Sequence, residues 1–98
     1  MRTTRTKDIG QLITRSPDIR GGRPRIAGTG VTVHRIVQWY KLGLTPEEIA
    51  DELEHLTLAQ VYAALAYYHA NRDEIERDLE EEKKAIEQLE KEIHPLGT

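Results

Sequence analysis

The chain has 98 residues, of which 38% are hydrophobic and 32% are charged, and it contains no cysteine. This composition excludes a disulfide framework and a thiolate metal site, and we see neither a membrane-spanning apolar run nor a signal-peptide pattern, so we expect a cytoplasmic protein. The charge is divided: residues 1–41 hold nine Lys/Arg and two Asp, a balance of +7, whereas residues 42–98 hold five Lys/Arg and fifteen Asp/Glu, a balance of −10. A basic front half suits a phosphate backbone, and an acidic back half suits a protein partner.

The N-terminal part of the chain predicts little regular structure. Residues 1–10 are polar, basic and without periodicity, and we predict a flexible arm. Residues 11–14 predict a short strand. The loop from Arg20 to Gly30 is rich in Gly and Pro and leaves room for a few more residues of strand, around 25–27.

Three helices are predicted in the middle of the chain. The first runs from about Val33 to Leu42, after a Thr32 cap, with an apolar face of Val33, Ile36, Val37 and Tyr40. Thr45-Pro46-Glu47-Glu48 is a strong start signal for a second helix that ends near Leu53. Thr57 caps the third helix, whose predicted inner face is Leu58, Val61, Tyr62 and Leu65.

Residues 71–94 predict a long C-terminal helix, followed by a tail at 95–98. Asn71-Arg72-Asp73-Glu74 either caps the start of this helix or marks a bend in a continuous one. Its apolar positions form a heptad seam that Glu82 interrupts, and they are Ile75, Leu79, Ile86, Leu89 and Ile93. This seam either lies in a groove of a partner protein or forms a homodimer, and the small apolar content favours an oligomer.

Residues 11–70 predict a helix-turn-helix-like domain, which makes nucleic acid a candidate ligand. The predicted outward positions of the third helix include only one side chain able to contact a base bidentately, and they are Ala59, Gln60, Ala63, Ala64 and Tyr67. A packing or dimer surface is the alternative use of this helix.

Four arginines lie close together among glycines, and we predict that they and Gln60 contact DNA: Arg20, Arg23, Arg25 and Arg35. The alternative is that these arginines pair with the protein's own acidic helices. The histidines are scattered, and no nucleophile–base arrangement is indicated, so we expect no catalytic activity, no metal site and no cofactor.

Several segments together resemble the domain-of-unknown-function family 433. They are Gly22-Arg23-Pro24-Arg25-Ile26-Ala27-Gly28-Thr29, Val31-Thr32-Val33, Gly43-Leu44-Thr45-Pro46-Glu47-Glu48-Ile49, and the stretch from Leu56 to Tyr68. The resemblance covers about two thirds of the chain, with Gly30 where the family usually has arginine. It implies a helix-turn-helix antitoxin similar to VapB, which binds and silences a PIN-like ribonuclease and can repress the shared operon.

The resemblance also suggests how inhibition could work. PIN nucleases hold a metal with clustered carboxylates, so an arginine of the antitoxin can occupy that site as a cation. Arg72 and Arg77 are the candidates, beside the apolar residues Ile75, Leu79, Ile86, Leu89 and Ile93 that would contact the partner.

The sequence therefore predicts a mainly α-helical protein with a short N-terminal β element, a helix-turn-helix-like three-helix core and a long C-terminal helix, assembled as a homodimer. The leading function is the antitoxin of a type II toxin–antitoxin pair, with operator DNA as a second ligand. The alternatives are a stand-alone transcriptional regulator and a homodimeric scaffold that binds no DNA.

Overall fold

The computed structural model describes residues 8–53 and 55–93, so most of the predicted arm and the whole predicted tail lie outside the described residues. The protein is mainly helical, with a short antiparallel sheet at its N-terminal side, and the predicted fold class is confirmed. In chain order the strands and helices are β1 Ile13–Thr14, β2 Arg25–Ile26, α1 Val33–Lys41, α2 Pro46–Glu52, α3 Leu58–Ala70 and α4 Arg72–Ile93.

The sheet is smaller than the sequence predicts. Ile13 pairs with Ile26 and Thr14 with Arg25, in antiparallel register. Gln11 belongs instead to a 3-10 turn, Ile9–Gln11, because the Asp8 carboxylate accepts a hydrogen bond from the Gly10 N–H at 2.9 Å and starts that turn. The prediction of strand at residues 11 and 12 is therefore wrong.

The helix starts follow the capping signals in the sequence. Thr45 and Glu48 exchange two hydrogen bonds, of 2.8 and 3.1 Å, which satisfy two amides of the first turn of α2. Thr32 accepts from the Arg35 N–H at 3.1 Å and caps α1. Gly43, with a φ of 102°, follows the end of α1 as predicted, because its backbone enters the left-handed region.

Helix α3 buries only part of the predicted face: Val61 and Leu65 are buried as predicted, but other residues replace Leu58 and Tyr62. Ala63 and Ala64 are buried together with Val61, Leu65 and Tyr68, whereas Leu58 and Tyr62 are exposed. The reason is that α3 contacts α1, α2 and both strands, so it is enclosed on more than one side and its small alanines allow close approach. The predicted outward position of these two alanines is wrong.

Helix α4 begins inside the core and leaves it. Asn71 separates α3 from α4 with a φ of −129°, and its side-chain amide donates to the Tyr67 carbonyl at 3.1 Å, so it caps the end of α3. Ile75 is fully buried, and Leu79 packs partly against the same core. The core therefore continues past residue 70, the predicted end of the central domain.

Candidate functional site

Polar contacts attach the first half of α4 to the rest of the protein. Four of its carboxylates meet basic side chains, in the pairs Arg15–Glu74 at 2.6 Å, Lys41–Glu76 at 2.5 Å, His34–Asp78 at 2.9 Å and Arg23–Glu82 at 3.0 Å. Glu82 also accepts from Gln38, at 3.2 Å. Glu82, which the sequence shows only as a break in the heptad seam, is thus the last of these attachment points along α4.

Glu76 lies between two donors. The Lys41 ammonium and then the Tyr68 hydroxyl donate to its carboxylate, and these hydrogen bonds lower the pKa of Glu76. Burial, followed by the hydrogen bond to Glu76, raises the pKa of the Tyr68 phenol. Glu76 is therefore held as a carboxylate that joins α4 to α1 and α3.

The C-terminal half of α4 is exposed throughout. From Lys83 to Ile93 every residue is exposed, and three large apolar side chains on the heptad seam, Ile86, Leu89 and Ile93, are 54%, 54% and 60% exposed. We call these three residues the distal stripe. They continue the line of Ile75 and Leu79 along the helix, so the side of α4 that packs on the core extends beyond the core.

A groove of about 740 Å³ lies between α1 and α4, at the start of the distal stripe. Trp39, Leu42, Leu79 and Ile86 supply its apolar surface. Its charged lining consists of five glutamates and two lysines, namely Glu76, Glu80, Glu82, Glu87, Glu90, Lys41 and Lys83. The groove therefore combines apolar side chains with an excess of acidic ones.

Three of the four predicted DNA-binding arginines line a second groove, of about 570 Å³, at the N-terminal end of α1. Arg20 donates to the Gly30 carbonyl at 3.0 Å, and Arg23 pairs with Glu82. Arg35 is exposed, with its guanidinium carbon 5.3 Å from the centre of the Trp39 ring. We call this the basic groove, and Trp39 is a lining residue that the sequence analysis did not select.

Arg25 does not line the basic groove. Its residue surface is 8% exposed, and its guanidinium donates to the Thr29 carbonyl at 3.0 Å and to the Ser16 hydroxyl at 2.9 Å. These bonds join β2 to two loops, so the charge is used inside the fold. The assignment of Arg25 to a DNA surface is corrected for this reason: its donors face the protein interior.

The helix-turn-helix surface carries little that could read a base. Gln60 uses its side-chain carbonyl to accept from the Thr57 N–H at 2.7 Å, so it serves as half of a capping box. The exposed face of α3 contains Leu58, Ala59, Tyr62 and Ala66, none of which is a cation. The exposed acidic residues of α2 are Glu47, Glu48, Asp51 and Glu52, and they would repel phosphates.

The partner-binding residues predicted in α4 fall into separate groups. Ile75 is buried in this chain's own core, so its assignment to a partner surface is wrong. Arg72 is exposed, and its guanidinium carbon lies 5.6 Å from the Tyr68 ring centre. Arg77 is also exposed, but it follows Ile75 by two residues, about 200° around the helix, and lies on the side opposite the stripe.

His34 is a buried titratable residue that the sequence analysis did not single out. Its side chain is 1% exposed, its Nε2 contacts Asp78, and its Nδ1 has no hydrogen-bond partner among the described residues. Burial, the largest effect, lowers the pKa of His34, although Asp78 opposes this shift. Among the described residues there is no group of three or more His, Cys, Asp or Glu that could hold a metal ion.

The family model for proteins of unknown function DUF433 matches residues 13–68. This chain belongs to the DUF433 family. A crystal structure of a DUF433 member from Anabaena variabilis ATCC 29413 is similar, with 29% sequence identity and a TM-score of 0.66 over 69% of this chain and 67% of that chain. No curated protein gives a significant match.

The DUF433 match includes most of the basic groove, except Glu82, and none of the distal stripe. Arg20, Arg23 and Arg35 lie within it, so the loop, β2 and α1 that build the basic groove are part of the family domain. The match ends at Tyr68, before α4 begins, so the distal stripe lies on a segment outside it. None of the helices in the described ranges has the length and apolar character that crossing a membrane would require.

Proposed function

We propose that this protein is the antitoxin of a type II toxin–antitoxin pair, and that it binds and inhibits a PIN-like ribonuclease through the distal half of α4. The observation that carries the proposal is the distal stripe. Three large apolar side chains on one side of a projecting helix are each more than half exposed, and a groove in a partner protein would bury them.

The charge around the stripe indicates what kind of surface it fits. The groove beside it has five glutamates against two lysines, and the three glutamates other than Glu76 and Glu82 form no ion pair between described residues, so the complementary surface combines apolar and basic groups. The same groove of a second copy of this chain carries the same acidic residues. Charge repulsion thus disfavours a symmetric contact between two copies of this face, and a basic surface of a different protein is the occupant that we propose.

A pair of substitutions on neighbouring positions tests this. Leu89→Asp places a charge in the stripe, and Gln88→Asp places the same charge about 100° away around the helix. With the PIN-like nuclease encoded beside the gene and a fluorogenic RNA, we expect Leu89→Asp to raise the inhibitory concentration at least tenfold, a loss of about 1.4 kcal/mol. Gln88→Asp should leave it within about twofold.

Equal inhibition by the two variants would contradict binding through the stripe. Sedimentation of the purified chain tests whether a second copy covers the stripe. A dimer that Leu89→Asp dissociates and Gln88→Asp does not would show that the stripe is a homodimer interface, as in the scaffold alternative.

Arg72 is the residue we propose as the cation that enters the nuclease's carboxylate cluster. It lies at the start of α4 within about 60° of the direction of Ile75, whereas Arg77 lies on the opposite side and serves as the matched control. Arg72→Ala should weaken inhibition while Arg77→Ala leaves it unchanged. Intact inhibition by the Arg72→Ala variant would show that no cation of α4 fills the metal site from that position.

Operator binding is the second activity that we propose, and the basic groove supports it better than α3 does. Three arginines line the groove, while the exposed face of α3 is uncharged and α2 is acidic. Fluorescence anisotropy on the upstream DNA and on a scrambled duplex, at two salt concentrations, tests this activity. Tighter binding to the native sequence without nuclease inhibition would favour the stand-alone regulator instead.

A further inference from the structure

The basic groove contains two guanidinium groups that the protein's own carboxylates do not neutralise. Arg23 pairs with Glu82, but no ion pair between described residues involves Arg20 or Arg35. Glu82 is the one carboxylate among the described residues that line the groove, so the cations exceed the anions among them. Such an excess around a concave surface attracts an anion.

Arg20 lines this groove from an unusual backbone conformation. Arg20 has a φ of 50°, which is unusual for a residue with a side chain. Its Nε donates to the Gly30 carbonyl, and a Cβ at position 30 would lie 3.1 Å from Nη2. Gly30 thus leaves room for the guanidinium, whose Nη groups have no partner among the described residues.

Arg35 completes the arrangement from the first turn of α1. Its guanidinium lies against Trp39, which restricts the flexible side chain and leaves the N–H donors at its edge available. The first turn of a helix carries partial positive charge, which adds to the attraction for an anion. Two guanidinium groups that form no ion pair between described residues therefore line one groove, and arginine binds phosphate oxygens bidentately.

We propose that the basic groove is a phosphate-binding site, in which Arg20 and Arg35 hold one phosphate group and Glu82 limits the affinity by engaging Arg23. This inference deepens the proposed nucleic-acid binding by naming the group that is bound, and it does not depend on inhibition of a nuclease. The phosphate belongs either to a nucleic-acid strand or to a free phosphomonoester.

Trp39 is the chain's single tryptophan and lines the groove, so its fluorescence reports on this site. We would titrate the full chain with sodium phosphate, thymidine 5′-monophosphate, uncharged thymidine, and sodium chloride at matched ionic strength. A saturable change is expected with the two phosphates and not with thymidine or chloride. No saturable change with either phosphate would overturn the proposal.

Four variants locate the site. Arg20→Asn, which tolerates the left-handed backbone, and Arg35→Gln should each weaken phosphate binding at least fivefold. Glu82→Gln should strengthen it severalfold, because it frees Arg23 and removes a negative charge. Lys84→Gln changes the net charge as Arg35→Gln does, but from an exposed position on α4, and should leave the affinity unchanged. An equal loss in the Lys84→Gln and Arg35→Gln variants would also overturn the proposal, since it would reflect net charge alone.

Circular-dichroism melts would confirm that each variant is folded, and the gain expected for Glu82→Gln cannot result from misfolding.

A single-stranded oligonucleotide distinguishes the two sources of phosphate. An affinity well above that of the mononucleotide, with a salt dependence that corresponds to several phosphate contacts, assigns the site to a nucleic-acid strand. Equal affinities assign it to a free phosphomonoester. Phosphate binding without any operator preference would keep this inference and reject operator recognition.

Discussion

At the scale of single residues, burial decides which charged groups are available for function. Arg25 and His34 both carry polar nitrogen atoms into the interior, 8% and 1% exposed respectively, and both bind other parts of the same chain. Arg20 and Arg35 differ from Arg25 in exposure and not in residue type. The sequence therefore predicts a cluster of arginines, but the division into structural and free members depends on packing that no local pattern shows.

The burial of the His34 side chain predicts that the stability of the protein depends on pH. Burial lowers the pKa of His34 in the folded protein, and the positive charge of Arg23 also disfavours the protonated form. Asp78 and Glu82 favour the protonated form but do not reverse the shift. The unfolded chain, with a histidine pKa of about 6.5, then binds more protons in mildly acidic solution. The contribution of neutral His34 to stability is fully present above about pH 6.5 and is lost as the pH falls through the lowered folded-state value.

Urea unfolding at a series of pH values between 7.5 and 5 would measure this effect. We expect the free energy of unfolding to fall on acidification in the wild-type chain, and to fall less steeply in a His34→Gln variant, which cannot titrate at that position. His55 and His69 are exposed and are present in both proteins, so they cancel in the comparison. Parallel curves for the two proteins would show that His34 does not carry the pH dependence.

At the scale of the elements, helix starts were more predictable than helix faces. Thr45 and Glu48 lie three residues apart and make a local capping box, so their contacts do not require knowledge of the fold. The buried face of α3 depends on which elements surround it, and Ala63 and Ala64 face inward because neighbours enclose them. The position of Trp39 in the basic groove and the ion pair between Glu82 and Arg23 also depend on long-range contacts. The interruption of the apolar seam at Glu82 is nevertheless visible in the sequence and marks that residue as unusual.

The exposure of distal α4 predicts that this segment contributes little to folding. A stop codon in place of Ile86 leaves Glu82 inside the helix and removes only exposed residues of α4 and the residues after it. We expect the free energy of urea unfolding to change by less than about 0.5 kcal/mol, as is usual for surface changes away from packed features. The same truncation should abolish inhibition of the nuclease.

A large loss of stability on truncation would contradict this account, because it would mean that distal α4 packs on the protein in solution. Retained inhibition by a stable truncated chain would instead locate the nuclease contact elsewhere, while leaving the fold as described.

At the scale of the whole molecule, the family domain and the appended helix form one structure. The DUF433 match ends at Tyr68, yet the buried cluster continues to Ile75, and Arg23 in the domain pairs with Glu82 in α4. The Arg23–Glu82 ion pair is part of the basic groove, and the distal stripe begins four residues after Glu82, at Ile86. Sequence periodicity groups Ile75 with Ile86 as equivalent seam positions, although only the first is part of the core.

The same substitution at these two seam positions tests this organisation. Ile75→Ala removes a fully buried side chain and should cost about 2–5 kcal/mol, because it loses apolar burial and leaves a cavity. Ile86→Ala changes a side chain that is 54% exposed and should leave the free energy of unfolding nearly unchanged, while weakening nuclease inhibition. Urea unfolding of both variants would measure the contrast. A similar loss in the free energy of unfolding at the two positions would mean that distal α4 is buried in solution, against its own domain or another copy. The distinction between core and partner surface, on which the proposed function depends, would then be lost.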